Sequence, residues 1–246
     1  MLSPTGHPAA HDDGCHHGRS TGGCVDCKVR LISVCAALTI DELDGLEAIS
    51  QVVELAPRQA LFAQGEEAGA VYNITEGTLR LFRLLPDGRR HVMGFALIGD
   101  FLGLALAERF TVTAEALSPV RVCRFERAAF KALVAERPSL LERLHERAGY
   151  ELRLAQDQMT LLSRRTAEEK VAIFLVGLRE RYARLGQASV TLELPMGRQD
   201  IADHLGLTIE TVSRIITRLD RERMILVVPG GVRLIDPARL ERLAAS

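Results

Sequence analysis

Residues 198–216 hold two short helical runs separated by one glycine, and few folds accept that arrangement. Arg198 to Leu205 makes the first run, Gly206 follows, and Leu207 to Ile216 makes the second. Two short helices joined by a Gly-containing turn form the helix-turn-helix pattern. Ile201, Ala202, Leu205, Leu207, Val212, Ile215, Ile216 and Leu219 fall on its inward face. Thr208 is placed as the N-cap of the second helix, where its hydroxyl can accept an orphan backbone N–H. Glu210, Ser213 and Arg214 lie on the solvent side, three and four residues apart. These residue types suit a major groove: Arg can bond guanine O6 and N7 in a fork, Glu can accept from cytosine N4, and Ser can touch a base edge or a phosphate. Thr208 and Thr211 complete the predicted set of DNA contacts. An ordinary helical hairpin with a solvated charged face is the competing reading, and turn, cap and reader together favour double-stranded DNA.

Upstream, the pattern predicts several further blocks. Residues 1–23 are rich in Gly, His, Ser, Thr and Pro, have little to bury, and read as a disordered tail. From Val52 to Phe125 short β runs are broken by Gly, Asn, Pro and Asp, which indicates an antiparallel sandwich or jelly roll. Pro86-Asp87-Gly88 between two such runs is a hairpin turn. Arg127 to Glu136 reads as a small closing helix. Pro138 then suits the first turn of a helix running to about Leu162, roughly 37 Å long. Leu141, Leu144, Ala148, Leu152, Ala155, Met159 and Leu162 recur along it at three- and four-residue steps. Such a stripe suggests a coiled coil with a second copy of the chain, or contact with the chain's own sensor, each on different turns. Thr39 with Glu42, and Thr166 with Glu169, are capping boxes that open two more helices. Met224 to Val228 and Val232 to Ile235, around Pro229-Gly230-Gly231, read as a terminal hairpin or wing. The expected fold is therefore α+β: residues 24–137 a cysteine segment and jelly-roll sensor, 138–163 a dimerisation helix, 164–246 a winged helix-turn-helix.

Charge supports the placement of the DNA contact. The net charge is −1, but from Arg164 onward 14 Lys or Arg stand against 11 Asp or Glu. The mild basic excess lies in the segment expected to meet DNA. No apolar run reaches the roughly 18 residues that span a bilayer, and the N-terminal stretch lacks an apolar signal core. A cytoplasmic protein without a membrane partner is expected. No nucleophile–base pair or phosphate loop is recognisable, so catalysis is not expected.

Five cysteines are an odd number, and in a reducing compartment metal binding or redox chemistry is the better default than a disulfide framework. Cys24, Cys27 and Cys35 follow C-x2-C-x7-C. Thiolates select zinc or iron–sulfur clusters, and both usually want four ligands. The candidate fourth is Cys123, which shares a strand face with Arg121 and Phe125. By itself Cys123 would read as a small buried hydrophobe. Spacing does not separate zinc from iron. Cys15-His16-His17 lies in the tail, outside the pattern.

At these residues the chain resembles the CRP/FNR family of bacterial transcription regulators, from Cys24 to its end. Gly99-Asp100-Phe101-Leu102-Gly103, Leu162-Ser163-Arg164-Arg165-Thr166-Ala167-Glu168-Glu169 and Leu205 to Arg214 are similar to the FNR branch. The C-x2-C-x7-C spacing is similar to its FnrN/FnrL type, an oxygen-responsive iron–sulfur regulator. The resemblance implies an oxygen-labile 4Fe-4S cluster on Cys24, Cys27, Cys35 and Cys123, a homodimer, and contact with RNA polymerase through exposed sensor loops such as Pro86 to Arg90. It also implies a TTGAT-N4-ATCAA site read by Glu210, Ser213 and Arg214; Ile209, where the CRP type has Arg, favours that half-site. A structural zinc without oxygen sensing is the alternative. Cyclic-nucleotide binding would need a phosphate-holding cation after the Gly-Asp-Phe turn, where Phe110-Thr111 stand and Arg109 is one residue away. A haem sensor using His91 would leave the four cysteines unexplained.

Overall fold

The computed structural model describes residues 23–104, 108–186 and 189–245; of residues 160–164 it describes the backbone only. The chain divides into two compact units. One comprises residues up to Arg83 and Gly94–Gly149, the other Leu84–Met93 and Tyr150 onward. The tip of one sensor hairpin is thus grouped with the second unit, and the long helix spans the boundary.

In the first unit, two short 3-10 turns, Arg30–Ile32 and Val34–Ala37, lead into helix α1, Ile40–Ala48. The Thr39 box forms as its sequence predicts: the Thr39 N–H donates to Glu42 Oε2 at 3.0 Å. Among the described residues eight strands follow: β1 Ser50–Leu55, β2 Ala60–Phe62, β3 Ala70–Glu76, β4 Leu79–Leu84, β5 Arg90–Ala96, β6 Phe101–Leu102, β7 Thr113–Ala116 and β8 Val120–Glu126. They form two antiparallel four-stranded sheets, ordered β1-β8-β3-β6 and β2-β7-β4-β5. Alternation along the strands separates two cores. Val53, Leu55, Tyr72, Ile74, Val120 and Val122 face the interior of the sandwich. Val71, Phe101, Cys123 and Phe125 face the other way, toward α1, helix α2 (Arg127–Glu136) and the cysteine segment. The expected jelly roll and its closing helix are both present.

Helix α3, Pro138–Arg164, begins where Pro138 predicts. Its first turns belong to the sensor: Leu140 is fully buried in the second of these cores and Leu144 packs against it. Leu141, Leu152 and Met159 are exposed, as are Ala148 and Ala155. The reading of contact with the chain's own sensor thus holds for the first turns, where Leu144 is turned to its own domain, and the exposed remainder of the stripe is left open to a second copy; the side chain of Leu162 lies outside the described residues.

In the second unit, helix α4 (Ala167–Arg184) is opened by Thr166, whose hydroxyl accepts from the Glu169 N–H at 3.3 Å. Strand β9 (Thr191–Glu193), helices α5 (Arg198–Leu205) and α6 (Ile209–Arg221), strands β10 (Ile225–Val228) and β11 (Gly231–Leu234) and helix α7 (Pro237–Ala245) follow. The wing predicted from Pro229-Gly230-Gly231 is β10–β11, and β9 adds to it as a third strand. Sequence reading did not anticipate β9 or α7. Three residues give too short a strand to show alternation, and α7 buries essentially one side chain, Leu240.

His204 ends α5 in a closed environment. Its Nδ1 lies 3.3 Å from the Val92 carbonyl, and its ring meets Phe174 edge-on. Burial holds its pKa down to about 4, against an ordinary value of 6.5. Between those values the unfolded chain binds a proton that the folded chain refuses, so stability is complete above pH 6.5 and falls as pH drops toward 4. Each tenfold difference in proton affinity is worth about 1.4 kcal/mol, so roughly 2 kcal/mol is lost on going down to about pH 5. Urea melts at about pH 7.5, 6 and 5 are expected to show this loss, and His204→Gln to flatten it.

Candidate nucleic-acid interface and cysteine cluster

The helix-turn-helix forms as predicted. Gly206 closes α5 in the left-handed conformation at φ 63°, which costs a glycine little and other residues more. Thr208 caps α6: its Oγ1 accepts from the Thr211 N–H at 3.2 Å and its hydroxyl donates to Thr211 Oγ1 at 3.1 Å. Val212, Ile215, Ile216 and Leu219 are buried and fix the rotation of the helix. That rotation leaves Thr208, Glu210 and Arg214 exposed and Thr211 and Ser213 half-exposed on the outer face. Its own backbone N–H and the Thr208 hydroxyl hold the Glu210 carboxyl below its ordinary pKa. Glu210 is thus kept as a charged acceptor, the form needed to bond an amino group.

One further candidate escaped the sequence. Arg198 is the first residue of α5, and its buried Nη1 has no hydrogen-bond partner among the described residues. In a helix-turn-helix the first helix crosses the DNA backbone. A cation at its start is suited to a phosphate, and basic charge at that helix's first residue was the available signal.

Cys24, Cys35 and Cys123 are buried in one cluster with Val34, Leu38, Leu43, Leu46, Phe125, Phe130 and Leu140, and Cys27 is half-buried. Each is fixed by its backbone. The Cys24 N–H donates to Glu47 Oε2 at 2.9 Å, and the Cys35 N–H to the Ser33 hydroxyl at 3.3 Å. Cys123 sits on the central strand β8, opposite Val52 of β1 and Asn73 of β3. Among the described residues no group of three or more His, Cys, Asp or Glu stands at metal-coordinating spacing. The four thiols are of the donor type that a thiophilic metal or cluster takes, and three of them share one core, but the described side chains are not gathered into a coordination shell. Cys15 lies outside the described residues.

The segment also reaches the turn that holds helix α3. Ile32 lies over Gly99, whose φ is +82° and where an added Cβ would stand 3.2 Å from the Ile32 side chain. The neighbouring Asp100 holds Arg147 of α3 at 2.8 Å, and the same guanidinium donates to the Gly99 carbonyl at 3.2 Å. Cysteine segment, Gly99-Asp100 turn and helix α3 are in consecutive contact.

At the position where a nucleotide phosphate would need a cation, Phe110 stacks on Phe62 with ring centroids 3.9 Å apart, beside Tyr72. Arg109 bonds the Gly65 carbonyl at 2.7 Å. Aromatic rings occupy that position, and the nearby arginine is committed to a backbone oxygen.

Comparison with known proteins agrees with this architecture. Residues 52–137 match the cyclic nucleotide-binding domain family and residues 169–243 the Crp-like helix-turn-helix domain family. The chain is 52% identical over 220 residues to the transcriptional activatory protein AadR of Rhodopseudomonas palustris, covering 89% of this chain and 92% of that one. It is 49% identical over 223 residues to the nitrogen fixation regulation protein FixK of Bradyrhizobium diazoefficiens, covering 91% and 94%. The solved structure of FixK2 from Bradyrhizobium japonicum superposes with a TM-score of 0.75 at 32% identity, covering 80% of this chain and 98% of that one.

Because Glu210 and Arg214 are solvent-facing, their loss should cost recognition and spare the fold. Glu210→Ala and Arg214→Ala are each expected to weaken binding to the cognate duplex by about 1–3 kcal/mol and relax preference at one base position. Fluorescence anisotropy with base-substituted duplexes measures the first effect, and unchanged urea midpoints check the second.

Proposed function

The chain belongs to the Crp/Fnr family of transcription regulators, and on that basis we propose that it couples DNA binding to oxygen through a 4Fe-4S cluster held by Cys24, Cys27, Cys35 and Cys123. The observation that supports this most is the burial of three of these cysteines, drawn from two distant stretches of chain, in one core beside the start of α3. When bound, such a cluster cross-links thiolates and is dismantled by oxygen; everything else rests on side chains of the chain itself.

With little oxygen, Val29, Val34 and Leu38 stay buried and Ile32 stays over Gly99. Asp100 and the Gly99 carbonyl then keep Arg147 in place, and Leu140 and Leu144 stay in the shared core. The first turns of α3 are thereby fixed, and Leu141, Ala148, Leu152, Ala155 and Met159 remain available to a second copy. The dimer presents two α6 helices to successive major grooves of a TTGAT-N4-ATCAA-like palindrome. When oxygen releases the cysteines, the segment loosens and the two linked half-site contacts weaken together. In this reading the chain activates genes for low-oxygen growth from the cytoplasm. RNA polymerase would meet the exposed Asp87 and Arg89 of the β4–β5 turn; Arg90 is engaged with Asp200 and Asp203 at 3.1 Å each.

The same four sulfurs could hold a structural zinc, and one experiment separates the two. Protein purified without air is expected to be brown, to lose its visible absorption as air enters, and to lose duplex binding in the same samples. Cys24→Ser, Cys27→Ser, Cys35→Ser and Cys123→Ser should each abolish the colour, while Cys15→Ser leaves it. A colourless, zinc-containing protein that binds DNA equally in air would exclude the oxygen switch.

A further inference from the structure

Asn73 occupies the middle of β3, a strand on which six of seven residues are buried. It is 1% exposed, and its Oδ1 has no hydrogen-bond partner among the described residues. Its cross-strand neighbours are Cys123 on β8 and Phe101 on β6. Directly opposed residues share a sheet face, with Cβ atoms about 4.5–5.5 Å apart. Asn73 therefore projects into the apolar cluster that holds Cys24, Cys35 and Cys123. Valine or leucine would suit that face better, since the amide oxygen buried there loses its water without gaining a partner. An unsatisfied amide at such a place points to a partner that arrives from outside the chain.

We propose that Asn73 is a positioning residue for the cysteine site, donating an N–H from its side-chain amide to sulfur at Cys123 when that sulfur is metal-bound. The inference rests on the reading of the four cysteines given above. Amide oxygen and nitrogen exchange places by a half-turn of the terminal torsion, so the end left unsatisfied can present either group. Metal-bound thiolate and cluster sulfide are electron-rich and accept hydrogen bonds. Such bonds spread the negative charge of the sulfur, raise the reduction potential of an iron–sulfur centre and slow its loss. Arg121, on the same face of β8, is already bonded to Glu54 and Glu76.

The test uses the full chain reconstituted anaerobically with ferrous iron and sulfide. Asn73→Leu keeps the branched skeleton, with somewhat more bulk, and removes both polar groups. The metal-free variant is expected to melt at or above the wild-type temperature, because an unsatisfied amide has been removed. The reconstituted variant is expected to bleach about 10-fold faster in air and to show a more negative midpoint potential. Asn73→Thr, which keeps an O–H donor on a side chain suited to a strand, should recover much of the lifetime that its isostere Asn73→Val loses. That pair carries the test if the leucine variant does not fold. Equal lifetimes and potentials across wild type, Leu, Thr and Val overturn the role of Asn73 and leave the cysteine reading intact. If neither wild type nor any variant takes up iron and sulfide, both fall together.

Discussion

The apolar cluster outside the β1-β8-β3-β6 sheet is the constraint on which the rest of the sensor depends. It is assembled from parts that lie far apart along the chain. The segment from Cys24 to Leu38 supplies two cysteines, Val34 and Leu38; α1 supplies Leu43 and Leu46; the sheet supplies Val71, Phe101, Cys123 and Phe125; α2 supplies Phe130; and α3 supplies Leu140. The segment has only two short 3-10 turns of its own, so its order comes from this burial and from the bonds to Glu47 and Ser33. A segment held by side-chain burial more than by backbone ladders is the part of a domain easiest to release.

The DNA-binding unit follows a different logic. There the functional face is defined by what is buried behind it. Thr208 fixes where α6 begins, and Val212, Ile215, Ile216 and Leu219 fix how it is turned. Glu210, Ser213 and Arg214 are turned outward by that rotation, with no partner distant in the chain among the described residues. This is why substitutions on the two sides of the same helix report on different properties, recognition on one and folding on the other.

Much of this was legible in the sequence because short-range rules carried it. The three threonine caps at 39, 166 and 208, the Pro138 start and the Gly206 stop depend on hydrogen bonds within a few residues, and the structure keeps all of them. The two-residue period of the strands was equally local. What was not legible depended on partners far along the chain. Leu144 is spaced like its neighbours on the stripe, and only the presence of the sensor core beneath α3 turns it inward. Arg147 gave no signal, since its partner Asp100 lies 47 residues away. Asn73 lay inside the β run Val71 to Thr75 and gave no signal of its own. Its significance appears only when registry places it against Cys123. The cysteine spacing indicated a site, and co-burial of three of the four supports it; choosing between zinc and iron needs chemistry that neither spacing nor burial encodes.

The size of the burial also bears on how a change at the cysteines could reach the DNA. Driving a two-state balance from 1:99 to 99:1 takes about 5.5 kcal/mol of differential stabilisation. Burying a valine or leucine fully is worth about 1.5–3 kcal/mol. Val29, Val34 and Leu38 are all buried through the segment's seating, so its release puts a quantity of the required order at stake. An unsatisfied amide at Asn73 costs about 1–3 kcal/mol in the same place. A group that bonds the cysteines and satisfies the amide would act on both quantities in the same direction. Because Leu140 and Leu144 belong to that core, and Arg147 to the turn beneath Ile32, such stabilisation would be delivered to the first turns of α3. No longer-range pathway is needed to carry it to the face where a second copy would pair.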